Sequence, residues 1–451
     1  MKQLKPITNK LLWIFALGQF GWSLLSGVVS NWMVYYYTGS PDAQNPNTGL
    51  FASGITQEPI LFKLTLFGLV LAAGRIFDAI TDPLIAGWSD RSAYKGGRRI
   101  PFMRVMAIPF SLCTIALFTI PQTSSVGLND TLLFILLMVF YLFMTMFCTP
   151  YNALIAELGD TQQHRINVST FISFTFIVGQ SISFLLPNVA GALEPSVGQY
   201  NSIRFAVAIM SAIACLAMLF PAFYIKERDY IESKPSETKP FTSLIKTFSN
   251  VQFRHFVYSD VIYFFALTLF QTGLAFYETK LMGIPDTMTF TLTATMTAIS
   301  VCLYPVVNIL AKKIGKKSLI IIGFFAYCVV FAITSICGEG VHWGFIVAIT
   351  AAVPMAILGI LPQACVADVA ELTRLETGED RSGMFFAART FAFKMGQALA
   401  MVVFTSLTVS KTPQSYRTTA IFAFVTCFIG AVIFFRYNEK QILKSIEEHK
   451  H

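Results

Sequence analysis

Apolar residues along the chain gather into twelve long runs, at 11–37, 62–89, 101–121, 131–157, 167–190, 203–225, 255–279, 288–311, 318–337, 344–367, 384–410 and 417–435. Short polar segments bearing charge, Gly or Pro separate them. About 20 apolar residues in a helix cross roughly 30 Å of hydrocarbon, and each run is of that order. The pattern therefore predicts an all-α integral membrane protein with twelve transmembrane helices. The first run is too long for a signal-peptide core and has no A-x-A site after it, so it reads as the first span. One longer charged, Pro-containing break, from Lys226 to Arg254, divides the runs six and six. It predicts an N-terminal half at 1–225, a connecting segment at 226–254 and a C-terminal half at 255–451, with a short tail.

Composition strengthens this reading. Of 451 residues, 55% are hydrophobic and 13% charged, against about a quarter charged in soluble domains. A water-soluble enzyme is excluded on that ground. The net charge of +8 does not point to nucleic acid, because the basic residues lie in short segments between apolar runs instead of on one soluble surface. Their distribution sets an orientation instead. Lys2, Lys5 and Lys10, then Arg91 to Arg104, Lys226 to Arg254, Lys312 to Lys317 and the tail from Arg436 fall on one side of an alternating chain. The other side holds few, such as Lys63, Arg204, Lys280, Lys411 and Arg417. Basic loops stay inside, so both termini are expected in the cytoplasm and the protein in the inner or plasma membrane. The 8 cysteines sit within or at the ends of apolar runs without paired spacing and read as small core residues. The five histidines lie in loops or tails with no H-x-x-x-H or Cys/His spacing, which argues against a metalloenzyme.

Charges inside the runs carry the chemistry. The second run contains Arg75, Asp78 and Asp82, at steps of three and four, hence on one helical face. A charge at membrane depth costs about 2.5–3.5 kcal/mol on insertion scales, so these groups face protein, water or an ion. Asp78, Asp82 and the Thr81 hydroxyl are hard oxygen donors suited to Na⁺, or carboxyls suited to H⁺. Lys394 stands about ten residues from either end of the eleventh run, too deep to reach an interface by extending. Beside the carboxylates it would favour their charged form and alter the charge balance when a cation binds. Asp260, near the start of the seventh run, is as compatible with an interfacial position as with a function.

The stretch Gly74-Arg75-Ile76-Phe77-Asp78-Ala79-Ile80-Thr81-Asp82-Pro83, followed by Gly87-Trp88-Ser89-Asp90-Arg91 and Gly96-Gly97-Arg98-Arg99-Ile100-Pro101-Phe102, resembles the signature of the glycoside-pentoside-hexuronide:cation symporters. These form the melibiose-permease-like branch of the major facilitator superfamily. Tyr35 to Thr38, Thr149 to Leu154 with Glu157-Leu158, and Phe393 to Ala398 resemble the same family in the same order. The resemblance implies the major facilitator fold and cation-coupled uptake, with Asp78 and Asp82 at the cation site and Lys394 close by. It also implies a gating role for Asp90, Arg91, Arg98 and Arg99, with Arg75 and Lys394 in charge coupling.

Departures from the melibiose-permease pattern bear on substrate. Ser23 stands where that permease has a sugar-binding acid, Cys148 replaces a further acid, and Ser173 falls where an arginine is expected. Polar and aromatic candidates for substrate contact are Gln19, Trp22, Ser23, Ser26, Asn31, Tyr35, Tyr151, Asn152 and Gln397. The expected protein is a monomeric symporter of a sugar, glycoside or sugar derivative, coupled to Na⁺ or H⁺ by alternating access. It is expected to have no cofactor and no partner beyond substrate and membrane lipid. A symporter of lysolipids is the neighbouring reading, favoured by the lost acids and the 43 Phe. A sensor on the same fold or a membrane enzyme are remote ones.

Overall fold

A computed structural model describes residues 5–39, 47–61, 63–92, 94, 97–121, 124–158, 162–230, 247–377 and 382–450. The described residues are almost wholly helical, and among them one strand pair occurs, the short antiparallel β1 (Pro59–Leu61) and β2 (Leu64–Thr65). The helices are α1 (Asn9–Thr38), α2 (Leu66–Arg91), α3 (Ile100–Leu117), α4 (Val126–Leu158), α5 (Gln162–Ser183), α6 (Leu186–Val197), α7 (Gln199–Tyr224) and α8 (Glu227–Tyr230). They continue with α9 (Val251–Phe276), α10 (Thr289–Ile314), α11 (Lys316–Ile336), α12 (Val341–Thr377), α13 (Ser382–Leu407), α14 (Pro413–Phe434) and α15 (Glu439–Lys450).

Among the described residues, 11 segments are long and apolar enough to span a membrane. The fifth expected run is two helices, α5 and α6, broken after Ser183 just before Pro187, and together they make one such segment. The second expected run, α2, is the further long helix, and its Arg75, Asp78 and Asp82 are what hold its apolarity down. Several starts follow local rules. Thr8 Oγ1 accepts from the Leu11 N–H at 3.3 Å and Asn250 Oδ1 from the Phe253 N–H at 2.9 Å, capping α1 and α9.

By internal contacts the chain forms two compact units, residues 1–57 with 80–239 and residues 58–79 with 240–451. The boundary differs from halves drawn at 225 and 255, because the first part of α2 groups with the later helices. In the first unit α1 packs on α5 and α7, and α3 on α4 and α7. Small residues make the α1 contacts close: Gly21 faces Ala214 and Met218, and Gly27 faces Ser183, where any side chain would collide. In the second unit α9 packs on α13 and α14, and α11 on α12 and α14. The same order of packing thus occurs twice, as expected of a six-helix repeat.

The repeat reaches individual side chains. At the start of α3, the Glu227 carboxylate accepts from the N–H groups of Arg98 (2.7 Å), Arg99 (2.8 Å) and Ile100 (3.0 Å). At its end, Arg204 donates to the carbonyls of Phe118 and Ile120. In the second unit, Glu439 accepts from the N–H groups of Lys316 (2.9 Å) and Lys317 (2.8 Å), and Arg417 donates to the carbonyls of Ser335 and Cys337 at the end of α11. An anion at the N-terminus and a cation at the C-terminus satisfy orphan backbone groups and complement the helix dipole. Gly97 (φ 122°) and Gly315 (φ 87°) precede these starts, and a Cβ at either would press on the capping carboxylate.

Candidate functional site

The first part of α2 and α13 bring together the two intramembrane charges that the sequence singles out. Asp78 is fully buried, and the Lys394 ammonium lies 2.8 Å from its Oδ2. The lysine is itself largely covered, with its side chain 12% exposed. Neither charge is tolerable alone in such a place, and each is what makes the other tolerable. Arg75, one turn earlier on α2, is half-buried. Small residues allow the approach of this end of the helix: Gly68 lies against Thr405 of α13. Among the described residues there is no cluster of three or more His, Cys, Asp or Glu, so a transition-metal site has no ligand set there.

The rest of α2 belongs to the first unit. Thr149 donates to Asp82 Oδ1 at 3.3 Å, and the Thr81 hydroxyl faces that of Thr145 at 3.4 Å. Asp82 is half-buried and Thr81 buried. Cys148, which stands in place of an expected acid, is the neighbour of Thr149 on α4 and half-buried. Among the described residues this stretch thus brings the Asp82 carboxylate near the Thr149 hydroxyl, and the hydroxyls of Thr81 and Thr145 near each other.

The substrate candidates separate by what their polar atoms already do. Gln19 Oε1 and Trp22 Nε1, one turn apart on α1, are buried without a hydrogen-bond partner among the described residues. Gln397 is half-buried on α13 and Asn152 exposed on α4. Others are committed to the fold. The Tyr151 hydroxyl donates to the Phe15 carbonyl at 2.9 Å, and its ring, with no exposed surface, stacks on Phe15 at 4.3 Å. Ser23 is fully buried, donates to the Phe20 carbonyl at 3.0 Å, and fills the contact with Gly179 of α5. Asn31 donates to Ser183 and Tyr35 accepts from Thr48, while Ser26 is half-buried. A sequence cannot show that a hydroxyl is already used, and this is what removes Tyr151, Ser23, Asn31 and Tyr35 from the free polar groups.

Of the four gating candidates, Arg98 and Arg99 give their backbone N–H groups to Glu227, and the Arg99 guanidinium donates to Ser89 Oγ at 2.8 Å. The side chains of Asp90 and Arg91 lie outside the described residues. Sequence reasoning missed Glu227 itself, because its partners are backbone groups that no residue pattern reveals. It also missed Arg389. That residue lies in α13 and forms a two-pronged ion pair with Asp260, Nε to Oδ2 at 2.8 Å and Nη2 to Oδ1 at 3.0 Å. Both are buried, and the rings of Phe256, Phe264 and Phe393 surround the guanidinium at 5.6–6.0 Å. An acid inside an apolar run was the available signal for this pair.

The family described as MFS/sugar transport protein matches residues 14–437. The chain belongs to that family. It is a multi-pass membrane transporter of the major facilitator class. A symporter of Synechocystis sp. is 25% identical, over 78% of this chain and 82% of that one. The isoprimeverose transporter of Lactiplantibacillus pentosus is 23% identical over 73% of the chain and 63% of its own length. A sodium-dependent lysophosphatidylcholine symporter 1-A of Danio rerio is also 23% identical, over 75% and 69%. Among solved structures, the nucleoside transporter NupG superposes with a TM-score of 0.67 at 11% identity, covering 96% of this chain and all of that one. The last likeness concerns the fold alone.

Proposed function

We propose that this transporter is a cation-coupled symporter in which the coupling cation, Na⁺ or H⁺, competes with Lys394 for Asp78, and that its cargo is a sugar or glycoside. The buried Asp78–Lys394 pair at 2.8 Å is the observation that carries the reading. A carboxylate neutralised by a lysine can exchange it for a small cation, and the released ammonium then changes the charge facing the transport path. Asp82, with Thr81, Thr145 and Thr149 near it, supplies further oxygens on α2 and α4. A relative called a symporter supports the coupling, and one called an isoprimeverose transporter supports the cargo.

The idle polar atoms of Gln19 and Trp22 serve the substrate on this reading. An amide oxygen and an indole N–H beside an aromatic face are what a sugar, with hydroxyls on its edge and C–H groups on its faces, requires. Lysolipid transport is the second reading. Cys148 and Ser173 in place of charged groups, and the sodium-dependent lysophosphatidylcholine symporters among the relatives, favour it. The test is uptake into proteoliposomes of a panel of labelled glycosides and of lysophosphatidylcholine, each under an imposed Na⁺ or H⁺ gradient. Accumulation of a glycoside driven by either gradient supports the proposal. Lysophosphatidylcholine accumulation alone replaces the cargo, and gradient-independent uptake overturns the coupling.

A further inference from the structure

At the end of α9 opposite Asn250, a second acid is buried that the chemistry of Asp78 does not use. Beyond Phe276 the helix widens into a π-helical turn, Tyr277–Leu281, a form found mostly at functional sites. Glu278 lies in this turn and is 4% exposed. Its Oε2 is buried without a hydrogen-bond partner among the described residues, and so are the hydroxyl oxygens of Thr289 and Thr293 on α10. The Thr289 hydroxyl approaches the carboxyl without completing a well-aligned bond. Beside Glu278, the side chains of Tyr277, Leu292, Thr293, Met296 and Val347 enclose a gap of about 10 Å³, room for about one water.

Three buried oxygens left unsatisfied within one site are costly unless something fills them. An ionised carboxylate here would have no compensating cation: Glu278 makes no ion pair among the described residues. The neighbours that face the gap are Leu292, Thr293 and Met296 of α10, and Gly344, Val347 and Ala348 of α12, none of them charged. Tyr277 bonds to Thr419 of α14 at 2.8 Å, so that element offers a hydroxyl already in use. The titratable groups of the turns at this end are Lys280, Asp286, Glu339, His342 and Lys411. Burial and Lys280 hold the Lys411 ammonium below its usual range, so those two lysines act on each other. A hard metal cation calls for roughly six oxygens, and the gap itself is lined by one carboxyl and the Thr293 hydroxyl among Leu, Met and Val side chains, with the Thr289 hydroxyl beside the carboxyl. A proton needs one oxygen and a neighbouring acceptor.

We propose that Glu278 is a proton-binding site, in which the carboxyl holds H⁺ beside the Thr289 and Thr293 hydroxyls and exchanges it with water at this end of α9. The transfer moves one proton between water and one carboxylate oxygen, with no other bond made or broken. This site is separate from the Asp78–Lys394 pair, and the proposal stands whichever cargo and coupling ion the transporter uses.

Infrared spectra of the full-length protein in a lipid film, perfused with buffers of stepped pH and with or without NaCl, test it without any substrate. The wild type should show a carbonyl stretch of a protonated carboxyl at neutral pH that is lost on raising the pH and is indifferent to Na⁺. Glu278→Gln should lack that band. Thr289→Val and Thr293→Val, which remove the neighbouring hydroxyls, should shift its frequency and titration midpoint. Absence of the band, its persistence in Glu278→Gln, or its displacement by Na⁺ at fixed pH would each overturn the proposal. Should Glu278→Gln not fold, the threonine variants decide: a shifted band supports the site and an unshifted one overturns it.

Discussion

Asp78 and Lys394 are each other's solvent. Removing one takes the ion-pair partner from a buried charge, and breaking a buried pair in this way costs about 3–5 kcal/mol. Asp78→Asn and Lys394→Gln are therefore expected to lower the thermal transition of the purified protein, while the double variant recovers most of the loss. Thermal unfolding in detergent checks this, and a double variant no more stable than either single one would show that the pair is not coupled. The Asp260–Arg389 pair differs in geometry. Its two parallel hydrogen bonds and its three phenylalanine rings suit a planar guanidinium and not a point ammonium. Arg389→Lys should accordingly be destabilised by about 2 kcal/mol or more, on the scale of a lost charge-assisted hydrogen bond. Equal stability of Arg389→Lys and wild type would refute that account.

The helices α3 and α11 are held at their starts by the short helices that follow α7 and α14, and at their ends by Arg204 of α7 and Arg417 of α14. Glu227 secures three N–H groups at the start of α3, Glu439 two at the start of α11. Charge-assisted bonds to a carboxylate contribute about 1.5–3 kcal/mol, so losing the charge at Glu227 should cost more than losing it at Glu439. Glu227→Gln is expected to increase protease cleavage in the 92–99 connection, and Glu439→Gln to affect its own end more weakly. Limited proteolysis followed by mass spectrometry of the fragments measures the order, and the reverse order would contradict it. Gly97→Ala should mimic Glu227→Gln, because the added methyl group displaces the same carboxylate and strains a backbone at φ 122°.

For the whole transporter, the choice of cation turns on how many hard oxygens α2 and α4 present. A thiol is a poor ligand for Na⁺, and Cys148 occupies the position next to Thr149, whose hydroxyl reaches Asp82. Cys148→Asp adds an anionic oxygen there and is expected to raise Na⁺ affinity several-fold. Uptake at fixed pH as a function of Na⁺, compared between wild type and the variant, reads this directly. Absence of Na⁺ stimulation in both would assign the coupling to H⁺. Asp82→Asn should lose gradient-driven accumulation while keeping exchange of cargo across the membrane, and full accumulation would remove Asp82 from the coupling machinery.

Much of this was legible in the chain alone. Long apolar runs fix the helices, since a backbone in hydrocarbon must satisfy its own hydrogen bonds and a helix does so locally. Charges within those runs single out Asp78, Asp82 and Lys394 for the same reason: nothing but a specific partner offsets their burial. What the sequence could not decide was which partner. Lys394 and Asp78 are more than three hundred residues apart in the chain, as are no two groups whose meeting a periodicity can foretell. Arg389 meets Asp260 only through the packing of α13 on α9. Tyr151 and Ser23 read as free polar groups until their hydroxyls were found on the carbonyls of Phe15 and Phe20. Glu278, an acid at the end of the seventh run, carries the same local signal as Asp260, but its isolation is a property of the surroundings. Sequence determines where polarity conflicts with the membrane, because that conflict is local. Only the tertiary structure decides how each conflict is resolved, because hydrogen bonds and ion pairs depend on distances of about 3 Å between groups that the fold brings together.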